Sequence, residues 1–212
     1  MKGAKVVASN QHGFVLPLEP ELMSEPENIA SSSQSRLQAH ALKLPLTREV
    51  LASLRAGDAC TLTGPVYTLR DAGHMRLLEE LHQLGKLPYG LKGQTIFYAG
   101  PTPAIGMRPF GAVGPTTASR MDFAASELYR AGIVATIGKG RRSADVVQAC
   151  IDTTSVYFAA VGGAAAFLAK CVESSETLSY DDLGTEALRR IMVRDFPVFV
   201  GVDTRGQCVY DG

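Results

Sequence analysis

Residues 111–140 read GAVGPTTASRMDFAASELYRAGIVATIGKG, and this stretch predicts a loop, a helix, a turn, a strand and a second loop. Ser119 can cap the predicted helix, and Gly132 suits the position just past its end. The apolar run at residues 133–137 is rich in β-branched side chains and is typical of a buried strand. Two glycine-rich loops therefore flank one α/β unit.

The two loops carry hydroxyl and cationic side chains. Thr116, Thr117 and Arg120 come at the start of the predicted helix, and Lys139 directly follows the predicted strand. Backbone N–H groups at a helix start, together with hydroxyls and cations, favour an anion. The stretch therefore predicts an anion site.

Strands and helices alternate along the rest of the chain. We predict further strands at residues 60–67, 95–99 and 156–161, and further helices at 48–55, 73–85, 143–150, 164–172 and 186–192. This alternation is typical of an α/β fold with a mostly parallel sheet. Pro65 within a strand, and a predicted hairpin at residues 198–210, indicate an additional antiparallel part.

Residues 1–38, interrupted by prolines and serines, are predicted to be a partly disordered arm before a domain at 39–212.

The composition argues against several classes of protein. The 212 residues include 21 basic and 21 acidic side chains, which gives no field for nucleic acid and no polybasic membrane patch. The four cysteines are scattered without a C-x-x-C pair, so neither a disulfide framework nor a zinc site is predicted. Gly140 follows Lys139 where a phosphate-binding loop has Ser or Thr, which disfavours nucleotide phosphoryl transfer. We expect a cytoplasmic protein.

Three cations are expected to meet at one edge of the sheet, where the loops leaving parallel strands converge. They are Arg70, Arg120 and Lys139. Two guanidinium groups and an ammonium suit a small molecule with two carboxylates, because arginine grips carboxylate bidentately. The alternative is that each cation is a surface charge paired with a neighbour, for example Arg70 with Asp71. The threonines could likewise be helix caps, and His74 could hydrogen-bond backbone.

Five motifs stand out along the chain: TLRDAGHMR at 68–76, GPTTASRMD at 114–122, IGKG at 137–140, DLGTEA at 182–187 and DFPVFV at 195–200. Together they resemble class I (iron–sulfur) fumarate hydratases, and equally the β subunit of two-chain fumarases and L-tartrate dehydratases. The resemblance covers roughly residues 45–210. Thr185 stands where we expect methionine, and Ser119 where glycine is common in the single-chain enzymes.

The resemblance implies a three-layer β/β/α swivelling domain and a hydro-lyase acting on a four-carbon dicarboxylate, fumarate or malate first and tartrate next. Such enzymes use a [4Fe–4S] cluster held by three cysteines of the other half of the enzyme, the α subunit or N-terminal domain. This chain would then bind no cluster alone. Its expected partners are that cluster-bearing α subunit and the substrate, in an α/β hetero-oligomer, or a homo-oligomer when alone.

The resemblance also implies roles for individual residues. It places Thr116, Lys139 and Arg120 in catalysis, and Arg70, Thr117, Asp71 and His74 in binding and lining the site. Cations set in place before reaction stabilise the negative charge that builds when a proton α to a carboxylate is removed. A threonine hydroxyl is a poor base and needs activation by its surroundings.

A second interpretation is a non-catalytic dicarboxylate-binding or assembly module that keeps the fold and works alone. Retention of the complete cationic and threonine set favours the enzyme, because a module without activity has no need of both ends of a substrate site. The sequence does not choose between fumarate, tartrate and a methylated analogue.

Overall fold

The computed structural model of the protein describes residues 39–211, and the predicted arm at 1–38 lies outside them. The strands are β1 (His40–Lys43), β2 (Ala59–Thr68), β3 (Thr95–Phe97), β4 (Ala135–Gly138), β5 (Val156–Ala159), β6 (Val172–Ser179) and β7 (Leu188–Val202). The helices are α1 (Arg48–Ser53), α2 (Asp71–Leu84), α3 (Asp122–Ala131), α4 (Ala144–Thr153) and α5 (Ala165–Lys170), with 3-10 turns at Ala118–Met121 and Asp181–Glu186. None of the helices in this part of the chain combines the length and apolarity needed to cross a membrane.

The described strands form one seven-stranded sheet in the order β1-β2-β3-β4-β5-β7-β6. Strands β1 to β5 run parallel to one another, which confirms an α/β fold with a mostly parallel sheet. Strand β7 is antiparallel to β5 and β6, and it also pairs with β2. The antiparallel strands therefore belong to the same hydrogen-bonded sheet, whereas the sequence predicted a separate smaller one.

Strand β7 is the largest departure from the sequence prediction. The sequence analysis predicts a short helix at residues 186–192, and this prediction is wrong, because residues 188–202 form one long strand. Instead Ile191 lies opposite Val66 of β2, and both side chains are buried. Burial between two neighbouring strands outweighs the local sequence pattern here. The register of β7 against β2 shifts between Leu62 and Gly64, beside the proline that predicted an irregularity.

Two apolar clusters cover the two faces of the sheet. Helices α2, α3 and α4 pack on one face, around the buried rings of Tyr98, Tyr129 and Tyr157. Helices α1 and α5 pack on the other, where Phe97 meets Phe196 of β7 edge to face at 5.3 Å. Each large apolar side chain buried in this way contributes roughly 1.5–3 kcal/mol. The clusters fix the sheet and so fix the loops at its ends.

The start of α3 differs from the prediction. Ser119 does not cap the helix, because it lies inside the 3-10 turn Ala118–Met121 that precedes it. The N–H of Ala118 donates to the C=O of Lys139 at 2.8 Å, which draws the turn against the end of β4. At the other end Gly132 is the C-cap, with φ of 120°, as predicted.

Candidate active site

The predicted site residues follow the ends of neighbouring parallel strands. Strand β2 leads to Arg70 and Asp71, β4 to Lys139, and β5 to Gly162. Because β2, β3, β4 and β5 run in the same direction, their carboxyl ends share one edge of the sheet. The loop that carries Thr116 crosses this same edge.

Backbone hydrogen bonds join the two glycine-rich loops. The N–H of Thr116 donates to the C=O of Tyr98 at 2.6 Å, and the N–H of Lys139 donates to the C=O of Thr116 at 3.1 Å. Thr117 and Lys139 are paired as in a parallel ladder. The threonines and the lysine are thus backbone neighbours, although they are more than twenty residues apart in the chain.

Gly138 makes this close approach possible. A Cβ atom at that position would lie 2.9 Å from the ring of Tyr98 and 3.0 Å from the Cβ of Ala118. Both distances are shorter than ordinary van der Waals contact, so a side chain would push the loop away from β4. Close packing against Tyr98 and Ala118 therefore explains why the IGKG motif has a glycine at position 138.

Asp71 joins two of the predicted cations. Its Oδ2 accepts a hydrogen bond from Arg70 Nε at 3.0 Å, and its Oδ1 accepts from Arg120 Nε at 3.0 Å and lies 2.7 Å from Arg120 Nη2. Burial acts to raise the pKa of Asp71, but hydrogen bonds from Arg70, from the Asp71 backbone N–H and from Arg120 together outweigh it and hold that pKa below its usual value. Asp71 is therefore a carboxylate that fixes two guanidinium groups together.

Glu186 is a member of this cluster that the sequence reasoning did not single out. Its Oε1 lies 3.3 Å from Arg70 Nε, and its Oε2 accepts the N–H of Ala72 at 2.7 Å. A Cβ on Gly73 would lie 2.7 Å from the backbone oxygen of Glu186, so the glycine allows α2 to approach this closely. The available signal was the DLGTEA motif and the preference of a helix start for a carboxylate.

Two of the cationic groups, those of Arg70 and Lys139, are largely left for a ligand. The hydrogen bonds of Arg70 to described residues use Nε and leave both Nη groups. Lys139 is exposed and makes no ion pair with any residue in 39–211, and its stem lies against Gly162. Three cations and two carboxylates, Asp71 and Glu186, leave one net positive charge. The edge therefore remains attractive to an anion.

His74 lies beneath this edge. Its side chain is fully buried, its ring packs edge to face against Tyr98 at a centroid distance of 5.2 Å, and neither ring nitrogen has a hydrogen-bond partner among the described residues. Burial lowers the pKa of His74 to about 4. The structure thus places His74 as a neutral ring under the site, away from its exposed surface.

The pH dependence of stability should report this burial. Unfolded histidine has a pKa of about 6.5, so as pH falls from about 6.5 towards 4 the unfolded chain takes up a proton before the folded chain does. The free energy of unfolding should therefore fall over this range, by up to about 1.4 kcal/mol per pH unit. When the free energy of urea unfolding is plotted against pH, the wild type should show a steeper fall than His74→Phe between about pH 6.5 and 4. Parallel curves from pH 8 to 4 would contradict the buried neutral imidazole.

A cleft of about 750 Å³ opens beside Arg70. Its walls are the loop at residues 101–110 together with Glu173, Ser174, Ser175, Gly184, Thr185 and Arg189. None of the seven predicted site residues lines it. Gly100 connects the two places, since a Cβ there would lie 3.1 Å from Arg70 Cδ and 3.3 Å from the backbone oxygen of Thr185. Arg70 therefore stands at the open edge next to the cleft.

These features define an α/β domain with a positively charged, threonine-bearing edge suited to a small acidic molecule. The sequence model of the family described as Fumarase C-terminus matches residues 16–212. The chain belongs to this family, which confirms the resemblance seen in the motifs.

Relatives support the same assignment. The chain is 37% identical over 177 residues to "Fumarate hydratase class I, anaerobic" of Escherichia coli (strain K12), covering 80% of this chain and 32% of that protein. It is 38% identical over 183 residues to "Fumarate hydratase 1, mitochondrial" of Leishmania major, covering 82% and 33%. It is 34% identical over 176 residues to "Putative L(+)-tartrate dehydratase subunit beta" of Methanocaldococcus jannaschii, covering 78% and 88%. The chain thus spans about a third of the length of the fumarate hydratases it matches.

Proposed function

We propose that this chain is the β-subunit half of a hydro-lyase that reversibly adds water to a four-carbon dicarboxylate, fumarate first and tartrate next. The observation that carries the proposal is the cluster Arg70–Asp71–Arg120 on the same sheet edge as Lys139 and the two threonines. The similarity to a tartrate dehydratase β subunit over 88% of its length supports the two-chain form.

The arginines bind the carboxylates of the substrate. Asp71 holds the Nε edge of Arg70 and of Arg120, so their remaining nitrogens are oriented before the ligand arrives. A hydrogen bond to a charged group contributes about 1.5–3 kcal/mol, and a bidentate pair adds geometric specificity. A molecule with a single carboxylate would satisfy only part of this arrangement.

Lys139 and Thr116 act at the reacting carbon. Removing a proton next to a carboxylate builds negative charge on that carboxylate, and a cation fixed in place stabilises it without reorganisation. The Thr116 backbone is held on both sides, by Tyr98 and by Lys139. We assign its hydroxyl to the transferred proton, with Thr117 as a supporting donor. A threonine hydroxyl is a poor base, so it needs a basic neighbour to act. We assign His74 to support of the site from below.

The cysteines of this chain do not suit the iron–sulfur cluster that the family resemblance implies. Cys60 and Cys150 are buried, and burial raises the pKa of each to about 12, which opposes the thiolate form that binds iron. Within residues 39–211 no group of three or more Cys, His, Asp or Glu is placed to hold a metal ion. In the proposal the cluster belongs to the α subunit.

The same resemblance suggests a swivelling domain that moves relative to its partner. Strand β7 pairs with both β5 and β2, and α2, α3 and α4 pack on one face of the sheet. We infer from this double pairing that the antiparallel strands, the parallel strands and these helices form the three layers of a β/β/α domain. It would present the cationic edge to the cluster-bearing subunit.

Reconstitution tests the proposed function. The isolated chain should be colourless and inactive, and anaerobic assembly with the α subunit, iron and sulfide should give hydratase activity on a panel of four- and five-carbon hydroxy-diacids. A complex that binds dicarboxylates but turns over none of them would instead establish the non-catalytic binding module. The α subunit reconstituted alone is the matched control.

A further inference from the structure

Arg142 is a buried arginine that none of the preceding roles uses. Its side chain has no exposed surface, and its Nε lies 2.7 Å from Asp122 Oδ1. Nη1 donates to Thr136 Oγ1 at 3.1 Å, and Nη2 donates to the hydroxyl of Tyr98 at 3.4 Å. The guanidinium carbon lies 5.3 Å from the ring centroid of Tyr98 and 4.9 Å from that of Tyr157. The guanidinium group of Arg142 is thus fixed by one carboxylate, two hydroxyls and two aromatic rings.

One of these contacts leads to the loop that carries the threonines. The backbone C=O of Tyr98 accepts the N–H of Thr116 at 2.6 Å, and the Tyr98 ring is the surface that Gly138 allows to approach. A shift of this ring would therefore move the end of β4 and the Thr116 backbone together. Arg142 fixes the Tyr98 ring in two ways, because it donates a hydrogen bond to the Tyr98 hydroxyl and packs over the face of the ring.

A second contact leads to the turn that carries Lys139. The hydroxyl of Tyr157 donates to the C=O of Gly140, the residue after Lys139, at 2.9 Å. Arg142 packs over the face of the Tyr157 ring, which sets where the tyrosine hydroxyl lies. The turn at residues 138–140 is thereby tied to the same guanidinium group.

The third contact leads to Arg120. Asp122 is two residues beyond Arg120 and begins α3, and its Oδ2 accepts the N–H of Ser143 at 2.7 Å while its Oδ1 accepts from Arg142. A buried ion pair contributes little net stability compared with apolar packing, whereas leaving one partner alone is costly. The main effect of the Arg142–Asp122 ion pair is therefore to fix the start of α3, next to Arg120, and its net contribution to stability is small.

We propose that Arg142 is a positioning residue that holds the turns of Thr116, Arg120 and Lys139 in register at the sheet edge. The inference rests on the proposed function for its consequence in catalysis, and on the contacts above for its geometry. Lysine cannot replace arginine in this role, because one ammonium does not reach a carboxylate, two hydroxyls and two ring faces at once. A misplacement of about 1 Å at a reacting group can lower a rate by as much as about 10²-fold.

The test compares Arg142→Lys with Arg141→Lys in the reconstituted complex. Arg141 is the neighbouring arginine, but its side chain is 63% exposed and pairs with Asp211 at the chain surface, so it is a matched control. Arg142→Lys should lower kcat per active site by about 10- to 100-fold with a much smaller change in KM, since it displaces groups that act in the transition state. Arg141→Lys should leave both constants as in the wild type. Equal kcat in the two variants would overturn the inference.

Amide hydrogen exchange on this chain alone separates the geometry from the activity. In Arg142→Lys the amides of Thr116, Ala118 and Lys139 should exchange at least about tenfold faster, while that of Gly57, bonded to Val200 before β2 begins, should change little. Unchanged exchange at the three amides would overturn the inference even if the complex is active. If the wild-type complex lacks activity but the exchange pattern appears, the proposed function fails and the positioning role stands.

A smaller change covers the case in which Arg142→Lys does not fold. Tyr157→Phe removes only the hydroxyl that donates to Gly140 and keeps the ring on which Arg142 packs. Faster exchange at Lys139 and a lower kcat are expected, with Thr116 less affected than in the arginine variant. Wild-type exchange at Lys139 together with wild-type kcat in Tyr157→Phe would remove the link between Arg142 and the lysine turn.

Discussion

Replacement of Lys139 by alanine in the assembled complex is expected to lower kcat/KM for the four-carbon dicarboxylate by roughly 10²- to 10³-fold. The ammonium makes no ion pair with a described residue, so its charge is available to the substrate. It sits on a turn whose backbone is bonded to Thr116 and Ala118, and alanine keeps that ladder. The loss should therefore fall on kcat with an unchanged melting temperature.

Steady-state kinetics of the reconstituted complex measures this effect. Lys86→Ala is the matched control, because Lys86 is exposed beyond the other end of α2. Its kinetic constants should equal those of the wild type. Normal turnover by Lys139→Ala would refute the role given to the lysine and would leave the two arginines as the only cationic contribution from this edge.

The second large effect is expected at Arg70. Arg70→Met should lower kcat/KM by about 10²-fold or more, mainly through a rise in KM, because a guanidinium that holds a carboxylate binds ground state and transition state alike. The variant also leaves Asp71 and Glu186 without their shared partner. Two carboxylates facing each other there would repel the substrate in addition.

Arg76→Met provides the comparison for this variant. Arg76 lies on α2, the helix that begins directly after Arg70, and pairs with Asp182 in an exposed salt bridge. Such a salt bridge typically contributes about 1 kcal/mol or less. Its removal should leave kcat/KM within about twofold of the wild type, in keeping with so small a contribution. If Arg76→Met and Arg70→Met lose activity equally, the effect is general destabilisation and the substrate contact is wrong.

The parallel part of the fold could be predicted from the sequence because its signals are local. Apolar runs bounded by glycines located the strands, and the glycines at helix ends located the turns, as at Gly85 and Gly132. Parallel strands then bring their following loops to one edge without further information. That rule alone placed Arg70 and Lys139 on the same side of the sheet.

The parts that could not be predicted depend on tertiary pairing. The sequence of residues 186–192 gave no sign that two other strands would flank them, so the first half of β7 was missed, although its end was predicted as a strand of the hairpin at 198–210. Ser119 looked like a cap because the bond from Ala118 to Lys139 cannot be read from neighbouring residues. For the same reason the sequence did not indicate that His74 would be buried.

The carboxylates and the buried arginine of the site illustrate a related limit. Glu186 and Asp71 meet on Arg70 although they are over a hundred residues apart. Arg142 is the second residue after the IGKG motif, and its neighbour Arg141 has the same chemistry but is exposed. Residue type and spacing do not distinguish the two, because the difference is which one points between the tyrosines.

The central claim is that cations from separate turns form one site for an acid with two negative charges. The most direct measurement is the ratio of kcat/KM for fumarate to kcat/KM for its monoamide, in the reconstituted wild-type complex. We expect a ratio of at least about 10², since the neutral amide forfeits one charge-assisted bidentate contact. A ratio near one would show that the second carboxylate is not bound by this edge, and would contradict the account.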